Sequence, residues 1–276
     1  MRIYICLVLC LNVLLLLLAC SAADGLPNII TDVDKEFVVR PYEQFALGER
    51  TYILEVKSLN IQDCENDTIL STFERTPNDD LWLDIAAIER AGENCIGEPS
   101  FAKTTINLGE LALGTYDVLL SLKQTIINKG VLTITRDAYG IDMETQYGIC
   151  WRNSELLRIP AATLWGYIGY KEITNTTAEE FSVLFDSFLE HIQDFVSPVE
   201  LPAAGYYGHF NWTGEWMAGT QMPEIEIIEL EEFAYVQPFV FSSTYNVSEL
   251  SSAITSFQQV QRDSNLVLHF FTTKDF

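Results

Sequence analysis

The feature that most constrains this chain is a long apolar run at its start. Arg2 supplies a positive charge, and Ile3 to Ala19 follow as 17 residues that only Asn12 interrupts. Small residues then extend to Ala23. A positive start, an apolar middle and a small-residue end are typical of a secretory signal peptide, and 17 residues are short for a spanning helix, which needs about 20. We expect residues 1–19 to be removed and the mature chain to fold outside the cytoplasm.

The end of this run carries a second pattern, Leu17-Leu18-Ala19-Cys20. It resembles the lipobox of bacterial lipoproteins, in which the cysteine becomes the acylated first residue of the mature chain. The resemblance covers only the first 20 residues, and Leu18 departs from the alanine or serine usual at its position. It implies a lipid on Cys20 that anchors the protein to a membrane, with residues 20–34 as a tether. Ser21, in place of Asp, implies sorting to the outer membrane, facing the periplasm or the cell surface.

Two other processing routes are compatible with the same residues. Ordinary cleavage after Ser21 or Ala23 would release a secreted protein without a lipid. A eukaryotic secreted origin would give a use to four N-glycosylation acceptors, which begin at Asn66, Asn175, Asn211 and Asn246. Under the lipoprotein interpretation these acceptors have no role.

The charge balance excludes one class of partner. The chain has 39 acidic residues against 16 lysines and arginines, a net charge of −23. Such a surface repels phosphate backbones and anionic lipid head groups, so we expect no nucleic-acid binding. The acidity favours solubility, and the alternative is a patch built for a cationic partner. Because 48% of the residues are apolar and 12% aromatic, the chain can build packed cores.

Three cysteines follow the leader and Cys20. Cys64 and Cys95 lie in polar, turn-like stretches, and in an oxidising compartment we expect them to form a disulfide. Cys150 stands between Ile149 and Trp151 and is interpreted as a small buried hydrophobic residue. The chain has no CxxC or HxxxH spacing and its histidines are far apart, so we predict neither a metal site nor a cofactor.

Short β-rich runs separated by glycine and asparagine turns fill the first half, residues 35–136. The clearest are Leu113–Leu122 and Val131–Thr135, and their spacing predicts an antiparallel β-sandwich domain. Gly114-Thr115-Tyr116-Asp117-Val118 resembles the penultimate strand of many immunoglobulin-like exported modules. We therefore expect an all-β, immunoglobulin-like sandwich, with a domain boundary between Arg136 and Ser154.

The second half, residues 155–276, mixes strands and helices. Strands are predicted over Arg158–Tyr170, Tyr206–Trp212, Phe233–Ser242 and Leu266–Phe271. Helices are predicted over Thr177–Val196, with Thr177 and Glu180 as a capping box, and over about Val247–Gln261. The order β-α-β-β-α-β is that of an α+β ferredoxin-like domain. The name ferredoxin-like describes only the order of strands and helices, because the chain has no cysteines spaced to hold an iron–sulfur cluster.

Three sets of residues are candidates for function. The acidic row Glu224, Glu226, Glu229, Glu231 and Glu232 is interpreted as a solvated strand edge, with calcium or partner binding as the alternative. The aromatic run from Tyr206 to Trp216 could pack against the flat face of a sugar or line a small-molecule pocket. Its candidate ligand-binding residues are Tyr207, Trp212 and Trp216. Trp165 and Tyr167, on the first strand of the same predicted sheet, could join them. His191, His209 and His269 have no Ser or Cys in a nucleophile motif beside them. We predict no catalytic residues.

The sequence favours a binding or interaction module of the cell envelope, with a glycan or protein partner. One alternative is a carbohydrate-active or other extracytoplasmic hydrolase whose groups converge only in three dimensions. Another is a structural envelope protein without a small ligand. An exposed ring cluster on the sheet of the second half would favour binding, whereas a pocket with two facing carboxylates would favour the hydrolase.

Overall fold

The structure is a computed structural model that describes residues 34–46, 49–171, 177–217, 222–228, 233–243, 247–261 and 265–273. The predicted signal peptide, Cys20 and most of the tether lie outside the described residues. So do Asn175, Asn246 and the acidic residues Glu229, Glu231 and Glu232.

Strands dominate the described chain. The elements of the first half are β1 (Phe37–Ala46), β2 (Glu49–Gln62), β3 (Thr68–Arg75), β4 (Leu81–Glu89), a short 3-10 helix (Gly92–Asn94), β5 (Ser100–Asn107), β6 (Gly114–Leu122), β7 (Ile126–Ile134), β8 (Ala138–Met143), β9 (Ile149–Trp151) and β10 (Glu155–Leu157). Those of the second half are β11 (Thr163–Tyr170), α1 (Ala178–Ile192), β12 (Val196–Ser197), β13 (Gly205–Tyr206), β14 (Phe210–Trp216), β15 (Pro223–Ile227), β16 (Tyr235–Ser243), α2 (Val247–Gln261) and β17 (Leu266–Thr272).

The first ten strands form one sheet in the order β10-β8-β7-β6-β4-β3-β5-β2-β1-β9. Strands β3 and β5 meet through a single residue pair, Thr68 with Lys103, which nearly divides the sheet into groups of six and four strands. Alternate residues of both groups point into one shared core, among them Val39, Leu83 and Leu120. A sheet that buries alternate side chains in this way is consistent with the predicted β-sandwich.

The sheet extends beyond the boundary expected from the sequence. Strand β8 pairs with β7, β9 lies parallel to β1, and β10 pairs with β8, so residues up to Leu157 belong to the sheet of the first half. Residues Lys35–Phe276 cluster as one compact unit. Their division into two domains at 136 and 155 stays a prediction.

The second half contains a four-stranded sheet in the order β12-β16-β11-β17, in which every neighbouring pair is antiparallel. Helix α1 begins with the predicted capping box between Thr177 and Glu180. The helices pack on one face of this sheet, where Phe188 contacts both Phe239 and Phe257 in one aromatic core. The 3.6-residue spacing therefore predicted α1 and its buried face, and the predicted bounds of α2 are confirmed.

The segment Tyr206–Trp212 is not the continuous strand that alternation predicts. It turns at Gly208, whose φ is +84° and where an added Cβ would lie 2.9 Å from the Cβ of Tyr42. The chain forms a hairpin there, and β13, β14 and β15 make a separate three-stranded sheet. The strand next to β16 is instead β12, whose first residue, Val196, was predicted as the end of the first helix.

The structure confirms the disulfide between Cys64 and Cys95. Beside it, the Asn66 amide donates to Asn94 O at 2.9 Å and accepts from Ile96 N at 3.0 Å. Cys150 is a free cysteine that is half-buried rather than fully buried.

Among the described residues, the helices fall short of the length and apolar character needed to cross a membrane.

Candidate functional site

Aromatic rings cover the face of the four-stranded sheet that points away from the helices. Antiparallel pairing of β11 with β17 places Trp165 opposite Phe271 and Tyr167 opposite His269. Alternate residues of a strand share a face, so these four side chains form one layer, which we call the aromatic face. The helix side of β11 is occupied by Leu164 and Ile168 instead.

The rings of the aromatic face stack in two cross-strand pairs. Trp165 and Phe271 have centroids 5.9 Å apart with planes 22° from parallel, and Tyr167 and His269 have centroids 5.2 Å apart at the same angle. Phe233 meets Tyr167 edge-on at 5.3 Å. Stacked and edge-on pairs add about 0.5–1.5 kcal/mol each beyond the area they bury, so they hold the layer in a fixed shape.

Gly166 allows β17 to lie close to β11. An added Cβ would overlap the carbonyl oxygen of His269 and lie 2.8 Å from the Cα of Phe270. The residue between Trp165 and Tyr167 must therefore be glycine for the two strands to keep their register.

The exposed part of the aromatic face lies on β17. Phe271 is 48% exposed and His269 is also exposed, whereas Trp165 is 2% exposed and Tyr167 is buried. Phe271 thus presents a ring to solvent while its other side rests on Trp165. A ligand would therefore touch Phe271 and His269, while the buried Trp165 and Tyr167 hold these two rings from the neighbouring strand.

His209 and Phe45 also contact Trp165. The His209 ring lies 5.3 Å from Trp165 and 6.4 Å from Phe271, and Phe45 packs edge-on against Trp165 at 5.8 Å. Phe45 belongs to β1, so the first half of the chain contributes to this layer. Nε1 of Trp165 is buried without a hydrogen-bond partner among the described residues.

His209 is held neutral in this position. Its Nε2 lies 2.6 Å from the carbonyl oxygen of Glu43, which can only accept, so Nε2 carries the proton and Nδ1 is an acceptor. Burial lowers the pKa of the imidazole, because a charged ring would lose its hydration there. The imidazole therefore acts as a packing and hydrogen-bonding group near neutral pH.

The predicted ligand-binding residues occupy three different environments. Trp165 lies under the aromatic face. Tyr207 is fully buried, stacks on Phe210 at 5.1 Å and donates its hydroxyl to Ala203 O at 2.7 Å, so its ring belongs to the core. Trp212 and Trp216 form a separate edge-on pair at 5.9 Å, in which Trp212 is half-buried and Trp216 is 50% exposed.

Phe271, Phe233 and Phe45 did not stand out in the sequence. The last strand, Leu266–Phe271, was predicted, and the spacing of His269 and Phe271 places both rings on one of its faces. The sequence did not indicate that Phe271 lies opposite Trp165, because residue alternation does not give the register between two strands.

A buried carboxylate joins the two halves of the chain. Glu43 is fully buried and accepts from Arg50 Nη1 at 2.8 Å and from Ile159 N at 3.0 Å, while Nε of Arg158 lies 3.4 Å away. Burial and the neighbouring Glu43 raise the pKa of Tyr139, which stays protonated. All hydrogen-bonding partners of this carboxylate are fixed by the fold, so it is a structural junction rather than a reacting group.

His191 does lie beside a serine in space. Its Nε2 is 3.0 Å from Oγ of Ser256 and 3.1 Å from the carbonyl oxygen of Ala253. The Ser256 hydroxyl itself donates to Ala253 O at 2.7 Å. Because a carbonyl only accepts, Nε2 is protonated and cannot take the serine proton. The pair ties α1 to α2 and is not arranged for nucleophilic catalysis.

Within the described ranges, no three His, Cys, Asp or Glu side chains are placed to hold a metal ion. Glu224 and Glu226 are exposed on β15, two residues apart on one edge of the three-stranded sheet. This position fits the expected solvated edge.

Comparison with protein-family models, with curated proteins and with solved structures finds no match to this chain.

Proposed function

We propose that the chain is an exported binding module, anchored to the outer membrane through a lipid on Cys20, and that its aromatic face binds a carbohydrate. The leader and the Leu17–Cys20 pattern support export and lipidation. The disulfide Cys64–Cys95 supports an oxidising compartment.

The observation that carries the proposal is the half-exposed ring of Phe271 stacked on the buried Trp165. Sugar rings present flat C–H faces that pack on aromatic rings, and their hydroxyls need hydrogen-bonding groups nearby. His269 lies in the same layer, exposed, with its imidazole beside the Tyr167 ring. A fixed ring flanked by a polar ring suits a sugar better than a purely apolar protein side chain.

Charge favours a neutral sugar at this face. Between Lys171 and Arg262 the sequence has 14 acidic residues and no lysine or arginine. Because the whole chain carries a net charge of −23, repulsion would weaken the binding of an anionic ligand.

The finer fold assignment is also part of the proposal. We infer that the second half is a ferredoxin-like βαββαβ unit in which β12 is the second strand and β13 to β15 are an insertion. The sheet order β12-β16-β11-β17 with antiparallel neighbours supports it, as do two helices on one face. The immunoglobulin-like topology of the first half stays a prediction.

The test is a carbohydrate-array experiment with two matched variants. Phe271 and Trp216 have nearly equal exposure, 48% and 50%, and lie in different ring clusters. We expect the wild-type protein and the Trp216→Ala variant to bind the same neutral glycans with similar affinity. Phe271→Ala should lose about 2 kcal/mol of binding free energy, the cost typical of a central aromatic contact, or roughly 30-fold in affinity.

Two results would contradict the proposal. One is that no glycan binds the wild-type protein. The other is that Trp216→Ala abolishes binding while Phe271→Ala preserves it, which would place the ligand at the Trp212–Trp216 pair. Thermal unfolding of each variant shows whether the loss reflects binding or folding, because both side chains are half-exposed.

A further inference from the structure

A concave surface, separate from the aromatic face, lies on the outer face of the sandwich, in the group of strands β9, β1, β2 and β5. It has a volume of about 210 Å³. Its lining residues are Val38, Arg40, Glu55, Lys57, Ser58, Leu59, Phe101 and Arg152. We call it the cationic groove.

A register shift lies at one end of the groove. The pairing of β2 with β5 shifts register between Lys57 and Ile61. Within this shift, Ser58 turns inward, where its hydroxyl donates to Asn60 O at 2.8 Å and accepts from Ala102 N at 3.0 Å. Ser58 keeps the inward alternation of Leu54 and Val56 on β2, so the register shift lies at the end of the groove that Leu59 and Phe101 line.

The groove is positively charged on a protein that is strongly negative. Arg40 pairs with Glu55 at 2.8 Å, which neutralises both. Lys57 and Arg152 form no ion pair with any residue that the structure describes. Acidic residues outnumber basic ones more than twofold in the chain, 39 to 16. Two unpaired cations in the cationic groove therefore give it a charge opposite to that of the whole chain. Such a site attracts an anion.

The rest of the lining is apolar. Val38 is half-buried and Leu59 is 39% exposed. Phe101 is half-buried under Lys57, whose Nζ lies 4.4 Å from the ring centroid. A cation over an aromatic ring holds its stem against the ring while the ammonium stays available to a ligand.

We propose that the cationic groove binds a small carboxylate that carries an apolar or aromatic body. The carboxylate pairs with Arg152 and Lys57, and the body lies on Leu59, Phe101 and Val38. Arginine is suited to this task because its planar fork can bind both carboxylate oxygens at once. The site is separate from the aromatic face and goes beyond the function proposed for it.

Benzoate is the probe, and its binding is measured by calorimetric titration at low and at high salt. A ligand of nine non-hydrogen atoms in a shallow site is expected to bind in the low-millimolar range. Arg152→Gln and Lys57→Gln should each weaken binding about tenfold, the effect of losing one charge-assisted contact. High salt should weaken binding of the wild-type protein as well.

Matched controls separate the groove from general electrostatics. Lys129→Gln removes an exposed cation of β7 that does not line the groove and changes the net charge equally, so benzoate affinity should stay the same. Benzamide has the same shape without the charge and should not bind. Glucuronate places the carboxylate on a hydroxylated body and should bind more weakly than benzoate.

Equal affinity for benzamide and benzoate would overturn the proposal, as would a Lys129→Gln effect as large as that of Arg152→Gln. Glucuronate binding as tight as that of benzoate would overturn the apolar part of the assignment. Arg152 and Lys129 are both exposed, so unchanged thermal unfolding is expected and confirms that each variant folds.

Discussion

Replacing Glu43 with glutamine should destabilise the protein strongly, because this carboxylate is fully buried and faces only donors. Arg50 Nη1 lies 2.8 Å from one oxygen and 3.1 Å from the other, and Ile159 N lies 3.0 Å from the second. The amide of glutamine must turn its NH₂ group toward one of these donors in either orientation. Glu43→Gln therefore removes the charge and also creates a contact between two donors.

The magnitude follows from burial. Removing one partner of a buried ion pair typically costs about 3–5 kcal/mol. Arg50 and Arg158 are each 22% exposed, so both can recover part of their hydration. We expect a loss of about 2–3 kcal/mol in the free energy of unfolding, with the carboxylate's lost charge-assisted hydrogen bonds as the main cause.

Urea unfolding followed by circular dichroism measures this loss. Glu36→Gln is the matched control: Glu36 pairs with Lys123 at 2.6 Å, but the two side chains are 40% and 52% exposed. An exposed pair contributes at most about 1 kcal/mol, so this variant should change little. A loss below about 1 kcal/mol for Glu43→Gln, or one no larger than that of Glu36→Gln, would refute the reasoning from burial.

Three further predictions concern other parts of the chain. Cys95→Ser opens a loop with a sequence separation of 31 residues, and the chain-entropy relation gives a loss of about 3–4 kcal/mol in unfolding free energy, measured by urea titration; no loss would contradict it. Gly166→Ala should cost about 2–4 kcal/mol, because the new Cβ overlaps backbone atoms of β17, and Gly140→Ala, which has only one atom within 4 Å, at 4.0 Å, is the control. Burial lowers the pKa of His209 below 6.5, so the unfolded chain takes up a proton first as the pH falls. Stability that is fully present above pH 6.5 should therefore decline below it, and His209→Asn should flatten this decline in a pH series of thermal unfolding curves.

Local structure could be predicted well from the sequence. The 3.6-residue spacing of Phe181, Phe185, Phe188 and Ile192 predicted α1, and all four are buried. The polar contexts of Cys64 and Cys95 predicted their disulfide. These features depend on neighbours that are close in the sequence or on the chemistry of one residue type.

The residue register of long-range strand pairs could not be predicted. Trp165 and Phe271 are more than 100 residues apart, and alternation within each strand does not give the register between the two strands. The turn at Gly208 interrupts an alternating aromatic run, and it depends on the close approach of Tyr42 from the other half of the chain. The candidate site was therefore only partly visible, through Trp165 and Tyr167.

Export and lipidation are tested most directly by the intact mass of the protein extracted from the membranes of its native cell. We expect a chain that begins at Cys20, carries an added lipid mass, and contains a Cys64–Cys95 disulfide that alkylation without reduction leaves unmodified. An unprocessed chain in the cytosol, with free thiols at both Cys64 and Cys95, would contradict it.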